Sequence, residues 1–201
     1  MSSARPMIAA PMRIEAALIT SLVPAARVHR TGMGPVNARA AGALLSGSGA
    51  GPLLILGFCG GLDEHSVPGE VIVAEHVYGA ADEGHSAQRV ECSLAGELIG
   101  SLAGRGMKIR SGPIVSVSKL ALGGRRAELL ADGALAVDME SLWLAEPAAG
   151  REIGVVRVVL DSPRHELLRP GALVRGPRAA LVLRQVAGAL QEWLAARRPG
   201  E

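Results

Sequence analysis

The sequence predicts an α/β layered fold with a largely parallel or mixed sheet, and three observations carry that prediction. Short runs of β-branched and aliphatic residues alternate with segments of helical periodicity, the pattern that builds layered α/β structures. Several of the strand-like runs are apolar at every position, as central strands covered on both faces are. The chain has 201 residues, 49% of them AVILMFWYC and 20% charged. That is enough for one hydrophobic core without disulfide staples, so a single domain spanning 1–201 is expected.

The elements follow in order. Met7–Ala10, Leu53–Leu56, Glu70–Ala74, Ile114–Val117, Leu135–Asp138 and Val155–Leu160 read as strands. Val36–Leu45 reads as a helix entered through a glycine-rich turn, and Leu94, Leu98, Ile99 and Leu102 mark one face of another. The last helix is the clearest: Leu183, Val186, Ala187, Leu190 and Leu194 recur at helical spacing, Arg197 and Arg198 fall in its final turn, and Pro199-Gly200 stops it. Ser46–Pro52, Gly79–Gln88 and Arg164–Gly176 read as loops.

Composition excludes several classes of function. A net charge of +2 with no basic stripe gives no footprint for nucleic acid. Arg125-Arg126 and Arg197-Arg198 read as solvated helix ends rather than phosphate readers. Cys59 and Cys92 stand outside any metal-binding spacing, and the five histidines (His29, His65, His76, His85 and His165) form no i,i+4 pair, so neither a metal site nor a cofactor is expected. Arg13 and Glu15 interrupt the N-terminal apolar stretch, and no uncharged run approaches the ~20 residues of a membrane-spanning helix. A cytoplasmic protein with no integral membrane segment is expected.

Four stretches carry candidate chemistry. In "RTGMGPVNA", Gly32 and Gly34 precede a helix start, where a turn can admit an anion or serve only as a turn. It is neither a dinucleotide fingerprint nor a Walker loop, because the third glycine and the Gly-Lys-Ser/Thr are missing. In "LLILGFCGGLD" a buried strand runs into Gly57, Gly60 and Gly61, the end at which open α/β sheets bind ligands; Cys59 there reads as a small buried thiol. "GVVRVVLDSP" ends in Asp161, which either caps the next turn or serves as a buried general acid. "ALAVDMES" places Asp138 and Glu140 where a strand stops, either as first-turn acids of a helix or as a site. His165 reads as an exposed loop residue, with Asp161 near in sequence.

Taken together and in order, "MIAAPMRIEA", "TGMG", "GFCGGLD…PGEVIVAE", "AVDMES" and "VRVVLDSP" resemble the purine nucleoside phosphorylase and nucleosidase superfamily, over about Met7 to Asp161. Within it the chain is similar to the bacterial hopanoid-associated nucleosidase/phosphorylase group, which is associated with removing adenine from adenosylhopane. The resemblance implies a three-layer nucleoside phosphorylase fold, a central mixed β-sheet flanked by helices, and a homo-oligomer. It implies cleavage of the N-glycosidic bond of an adenine nucleoside, a lipid-linked nucleoside being one such substrate. Asp161 matches the acid at purine N7 and Glu15 the glutamate that activates water. Glu140 matches the glutamate on the ribose hydroxyls, with Met139 packed on the sugar and Asp138 beside it. Phe58, Cys59 and Gly60 match the turn beside the sugar, and Leu120 falls near the aromatic partner of adenine.

The departures carry implications of their own. Ile55 stands where one branch of phosphorylases has arginine, which removes a bidentate phosphate anchor and points to water as nucleophile. Gly32, Gly34 and Arg30 are the remaining candidates for a phosphate or water site. Leu160 replaces the serine before the acid, making the pocket more apolar, as a lipid-tailed nucleoside requires. Pro147 shortens the helix after Glu140. The rivals are a 5′-methylthioadenosine/S-adenosylhomocysteine nucleosidase and a catalytically silent nucleoside-binding protein on the same fold.

Overall fold

A computed structural model describes residues 5–23, 27–49, 51–81, 89–165 and 172–197. Eight strands, β1 (Met7–Ala10), β2 (Arg27–Arg30), β3 (Leu53–Gly61), β4 (Val71–Gly79), β5 (Arg89–Glu91), β6 (Ile109–Ser116), β7 (Ala136–Asp138) and β8 (Ile153–Asp161), join in one sheet. The helices are α1 (Arg13–Thr20), α2 (Gly34–Ser46), α3 (Ala95–Leu102), α4 (Gly124–Ala131), α5 (Ser141–Ala145) and α6 (Ala172–Ala196). Among the described residues no helix is long and apolar enough to cross a membrane.

The sheet is mixed, as expected. β1 pairs parallel with β2 and β3, β3 with β8, and β6 with both β4 and β7, whereas β3–β7, β4–β8 and β4–β5 are antiparallel. Alternating residues of the central strands divide the core into two layers. Ile8, Leu54, Leu56, Val71, Val73, Val156 and Val158 face α1, α3 and α6, burying Ile19, Leu98, Leu183, Val186 and Leu190. Met7, Ala9, Leu53, Ile55, Ile72 and Val155 face α2 and α5, burying Ala38, Leu45 and Leu142 to Ala145. This is the three-layer arrangement anticipated from the all-apolar strands, which are buried on both sides because helices cover both sides.

One pairing pattern lay beyond prediction. β8 pairs with β3 along most of its length and, through Val156–Val158, with the start of β4, while β7 pairs with Gly60 and Gly61 at the end of β3 and β6 runs along the length of β4. The ladder β3–β8–β4–β6–β7 therefore returns to β3 and closes a ring. A register shift between Cys59 and Gly60, after which Gly60 stands opposite Asp161, marks where β3 takes up β7 as well. The strand expected over Leu53–Leu56 runs on to Gly61, because backbone partners on β8 and β7 continue to its end. The short edge strands β2 and β5 and helices α1 and α4 were not anticipated; each is short or weakly patterned. The expected loop over Gly79–Gln88 lies largely outside the described residues, and α6 begins at Ala172, inside the stretch expected as loop.

In α6 the predicted face, Leu183, Val186, Ala187, Leu190 and Leu194, is buried against the sheet. Arg197 reaches Glu97 and Glu152 instead of lying free in solvent. Leu190→Ala is expected to destabilise the protein by about 2–5 kcal/mol, the usual cost of emptying a fully buried leucine site, measured by urea denaturation.

Candidate active site

The second half of β3, the ends of β7 and β8, and the starts of α1, α2 and α5 surround one cavity of about 230 Å³. Its walls include Glu15, Phe58, Cys59, Gly60, Asp138, Met139, Glu140, Leu160 and Asp161, with Pro11, Met12, Met33 and Leu120 at its rim. Met33 and Leu120 are each 56% exposed, so the mouth is apolar. Of the expected site residues, the structure gathers Glu15, Phe58, Cys59, Gly60, Leu120, Asp138, Met139, Glu140 and Asp161 on this one cavity. Arg30 is exposed and outside the wall.

Each acid is positioned by local structure. Glu15 sits in the first turn of α1 as half of a capping box: its Oε2 accepts the Met12 N–H at 2.6 Å, and Oε1 accepts the Phe58 N–H of β3 at 2.7 Å. Asp138 ends β7; its Oδ1 accepts from Ser116 Oγ at 2.6 Å and from the N–H groups of Glu140 and Ser141, an acidic cap on the short α5. Glu140 turns back across the sheet, and its Oε1 accepts the Gly34 N–H at 2.9 Å. The TGMG turn therefore spends that N–H on a carboxylate of its own chain. Gly34 stands at φ +79°, a conformation that side-chain-bearing residues rarely adopt. Pro147 does shorten the helix, α5 giving way to a 3-10 turn at Glu146–Ala148.

At the centre lies a residue to which the sequence reading gave no role. Arg157, in the middle of β8, is fully buried. It makes an off-axis ion pair with Asp138 Oδ2 at 2.9 Å, lies 3.8 Å from Glu140 Oε2, and donates to Ser141 Oγ at 2.9 and 3.1 Å and to the Phe58 carbonyl at 3.4 Å. A Cβ on Gly57 would stand 2.6 Å from both Arg157 Nη1 and Glu15 Oε1, so only glycine lets the guanidinium and that carboxylate pack against β3. The signal in the sequence was the arginine itself: a charge inside an otherwise apolar strand requires buried partners.

The electrostatics follow from three carboxylates around one guanidinium. Burial opposes the charge on Arg157, but Asp138, Glu140 and Glu15 hold it charged, above its ordinary value. Burial raises Glu15, offset in part by Arg157 and its two N–H bonds. Burial, with Asp138 adding to it against the pull of Arg157, pushes Glu140 up to about 7. Burial likewise drives the Cys59 thiol far up, which leaves it a poor nucleophile and matches its reading as a packed thiol. Among the described residues no group of three or more His, Cys, Asp or Glu side chains is arranged to hold a metal ion.

Asp161 lies at the other end of the cavity, at the tip of β8, and here one expectation is corrected. Arg126 is not a solvated helix end. It is 2% exposed, and its Nη2 meets Asp161 Oδ2 at 2.5 Å, because the first turn of α4 points inward over the end of the sheet. Arg125, its neighbour, does face out, pairing with Glu128. His165 stays out of the cavity wall, its Nδ1 3.1 Å from Ser162 Oγ.

Comparisons with known proteins bear on the family and the fold. The chain belongs to the phosphorylase superfamily, whose sequence model matches residues 18–169. That membership supports an enzyme of the phosphorylase class. Its fold is similar to S-adenosylhomocysteine nucleosidase from Streptococcus pyogenes in complex with 5-methylthiotubericidin (TM-score 0.75, 19% identity, 94% of this chain and 98% of that one). It is also similar to 5′-methylthioadenosine/S-adenosylhomocysteine nucleosidase from Neisseria meningitidis in complex with methylthio-immucillin-A (0.77, 18%, 94% and 99%). The enzyme of the same name from Campylobacter jejuni gives 0.76 at 15% identity, over 94% and 99%. A comparison with curated proteins finds no match.

Two outcomes test the site as built. Arg157→Met is expected to cost about 3–5 kcal/mol at pH 8, since it leaves buried carboxylates uncompensated. Part of that loss returns at pH 5, where Glu15 and Glu140 take up protons; urea denaturation at both pH values reads it. Glu140 titrates in the fold at about 7 against 4.5 ordinarily, so its contribution to stability is complete below 4.5 and is lost as pH rises through 7. Glu140→Gln is therefore expected to gain on the wild type from pH 5 to pH 8, on the order of 1–3 kcal/mol, in thermal melts.

Proposed function

We propose that this chain cleaves the N-glycosidic bond of an adenine nucleoside. The observation that carries the reading is the convergence of Glu15, Glu140 and Asp161, distant along the chain, on one cavity whose sugar end holds more carboxylate than guanidinium. Such cleavage passes through an oxocarbenium-like sugar, and a site with excess negative charge is complementary to that cation.

Roles follow from position. A smaller recess of about 40 Å³ shares Gly60, Leu120, Val137, Met139 and Asp161 with the main cavity and adds Val117, Ala121 and Arg126. This apolar end takes the base, with Asp161 at N7. Glu140 accepts the ribose hydroxyls, and Met139 packs on the sugar. As C1′–N9 breaks, its electron pair passes into the purine, which takes a proton at N7, while Glu15 removes a proton from the water that attacks C1′. A raised carboxyl is the better base for that step. Water is favoured over phosphate, because an anion would enter beside three carboxylates and the Gly34 N–H is already engaged.

The 5′-substituent then leaves past Pro11, Met12 and Met33. Two substrates suit that exit. A small thioether is supported by the likeness of fold to the methylthioadenosine/S-adenosylhomocysteine nucleosidases. A large apolar group of the adenosylhopane kind is supported by the exposed Met33 and Leu120 at the mouth, since its bulk exceeds the cavity and has to lie across the rim.

Adenine release from adenosine, 5′-methylthioadenosine, S-adenosylhomocysteine and a 5′-alkyl adenosine, with and without phosphate, tests all of this. The expected result is phosphate-independent release. Asp161→Asn and Glu140→Gln are expected to lower kcat/KM by about 10²–10⁴-fold. Full activity in both variants overturns the assignment, adenine binding without turnover marks a silent binder, and the ranking of kcat/KM decides the 5′-group.

A further inference from the structure

Arg126 is held as a built part of the base end. Its Nε donates to the Ala121 carbonyl at 2.9 Å, Nη1 to the Gly61 carbonyl at 3.2 Å, and Nη2 meets Asp161 Oδ2 at 2.5 Å. Three fixed contacts orient the guanidinium in one way, and both partners of the ion pair are almost wholly buried, at 2% and 5% side-chain exposure. Structural need alone does not explain the arrangement. An ion pair at the wall of a ligand cavity is a costly way to pack a helix, and an apolar pair of similar volume serves packing as well or better.

We infer that Arg126 is a positioning residue for the acid step: it fixes Asp161 at the base end of the cavity and, through its charge, sets the pH at which Asp161 can hand a proton to the purine. The inference rests on the reading of Asp161 as the group that meets N7. In the step, C1′–N9 breaks with its electron pair passing into the base, the Asp161 proton moves to N7, and neutral adenine leaves. Asp161 remains as a carboxylate stabilised by Arg126. A proton from solvent then reloads it, and the 40 Å³ recess that Arg126 and Asp161 both line has room for a water to carry it. The guanidinium thus makes Asp161 a stronger acid that is loaded only at lower pH.

Among the described residues, other titratable or charged groups near Asp161 include the Cys59 thiol from β3 and Asp138 from β7; Arg157 lies further along β8, and His165 follows on the turn after it. The thiol is driven far up by burial and carries no charge across the working range. Asp138 is committed to Arg157, Ser116 and the start of α5. Arg126 puts an opposite charge within hydrogen-bond distance of the Asp161 carboxyl, so its removal is expected to shift that group.

The test is the pH profile of kcat/KM for the best nucleoside in wild type, Arg126→Gln and Arg126→Lys. Loss of the charge in Arg126→Gln is expected to move the alkaline limb upward by about one to three pH units, the span an adjacent opposite charge imposes on an aspartate. Arg126→Lys is expected to keep the limb near the wild-type position while lowering kcat, because one ammonium cannot hold the three-way fork. A folded Arg126→Gln enzyme with an unmoved limb overturns the inference and leaves the function standing. A wild type that releases no adenine from any nucleoside overturns the function instead. Should Arg126→Gln fail to fold, Arg126→Lys decides: a lowered kcat with the limb in place is required, and an unchanged kcat overturns the inference.

Discussion

Arg157 carries a full charge to the centre of β8, where water cannot follow, and the site is arranged around satisfying it. Asp138, Glu140 and Glu15 come from the end of one strand, the start of a short helix and the first turn of another, and all three sense the same guanidinium. A buried cation of this kind adds little net stability, but it penalises every arrangement in which its carboxylates are elsewhere. It therefore fixes where β7 ends and where α1 and α5 begin relative to β3 and β8. Gly57 completes the arrangement by leaving room that any side chain would fill.

The same arrangement leaves an electrostatic imbalance. One guanidinium does not neutralise three carboxylates, and burial prevents solvent from making up the difference, so Glu15 and Glu140 hold protons more readily than exposed glutamates do. A positively charged sugar placed between them supplies the missing charge. At the other end Arg126 and Asp161 form a neutral couple in apolar surroundings, suited to a flat base rather than an ion. A cavity with an electron-rich end for the sugar and an acid at the end for the base matches the polarity of the bond it is proposed to break.

The ring of strands explains how these two ends come to share one cavity. Because β8 lies between β3 and the start of β4, while β7 pairs with Gly60 and Gly61, the end of β3 sets Gly60 in the cavity wall and β7 delivers Asp138 and Glu140 beside it. An open sheet of the same strands would leave the tips of β7 and β8 on separate edges.

The sequence by itself determined the layered class, the central strands and the amphipathic last helix, because burial on both faces of a strand and on one face of a helix is written in local periodicity. It also brought the acids at 15, 140 and 161 forward, since carboxylates at strand tips and helix starts stand out locally and their order resembles a known family. It did not reveal the return of the strand ladder to β3, the capture of the Gly34 N–H by Glu140, or the partners of Arg157 and Arg126. Those are contacts between residues up to about a hundred positions apart, and no local pattern records which distant group an arginine will meet. Tertiary structure decided them, because the need of a buried charge for a partner is visible in one residue while the partner's identity depends on how the whole sheet closes.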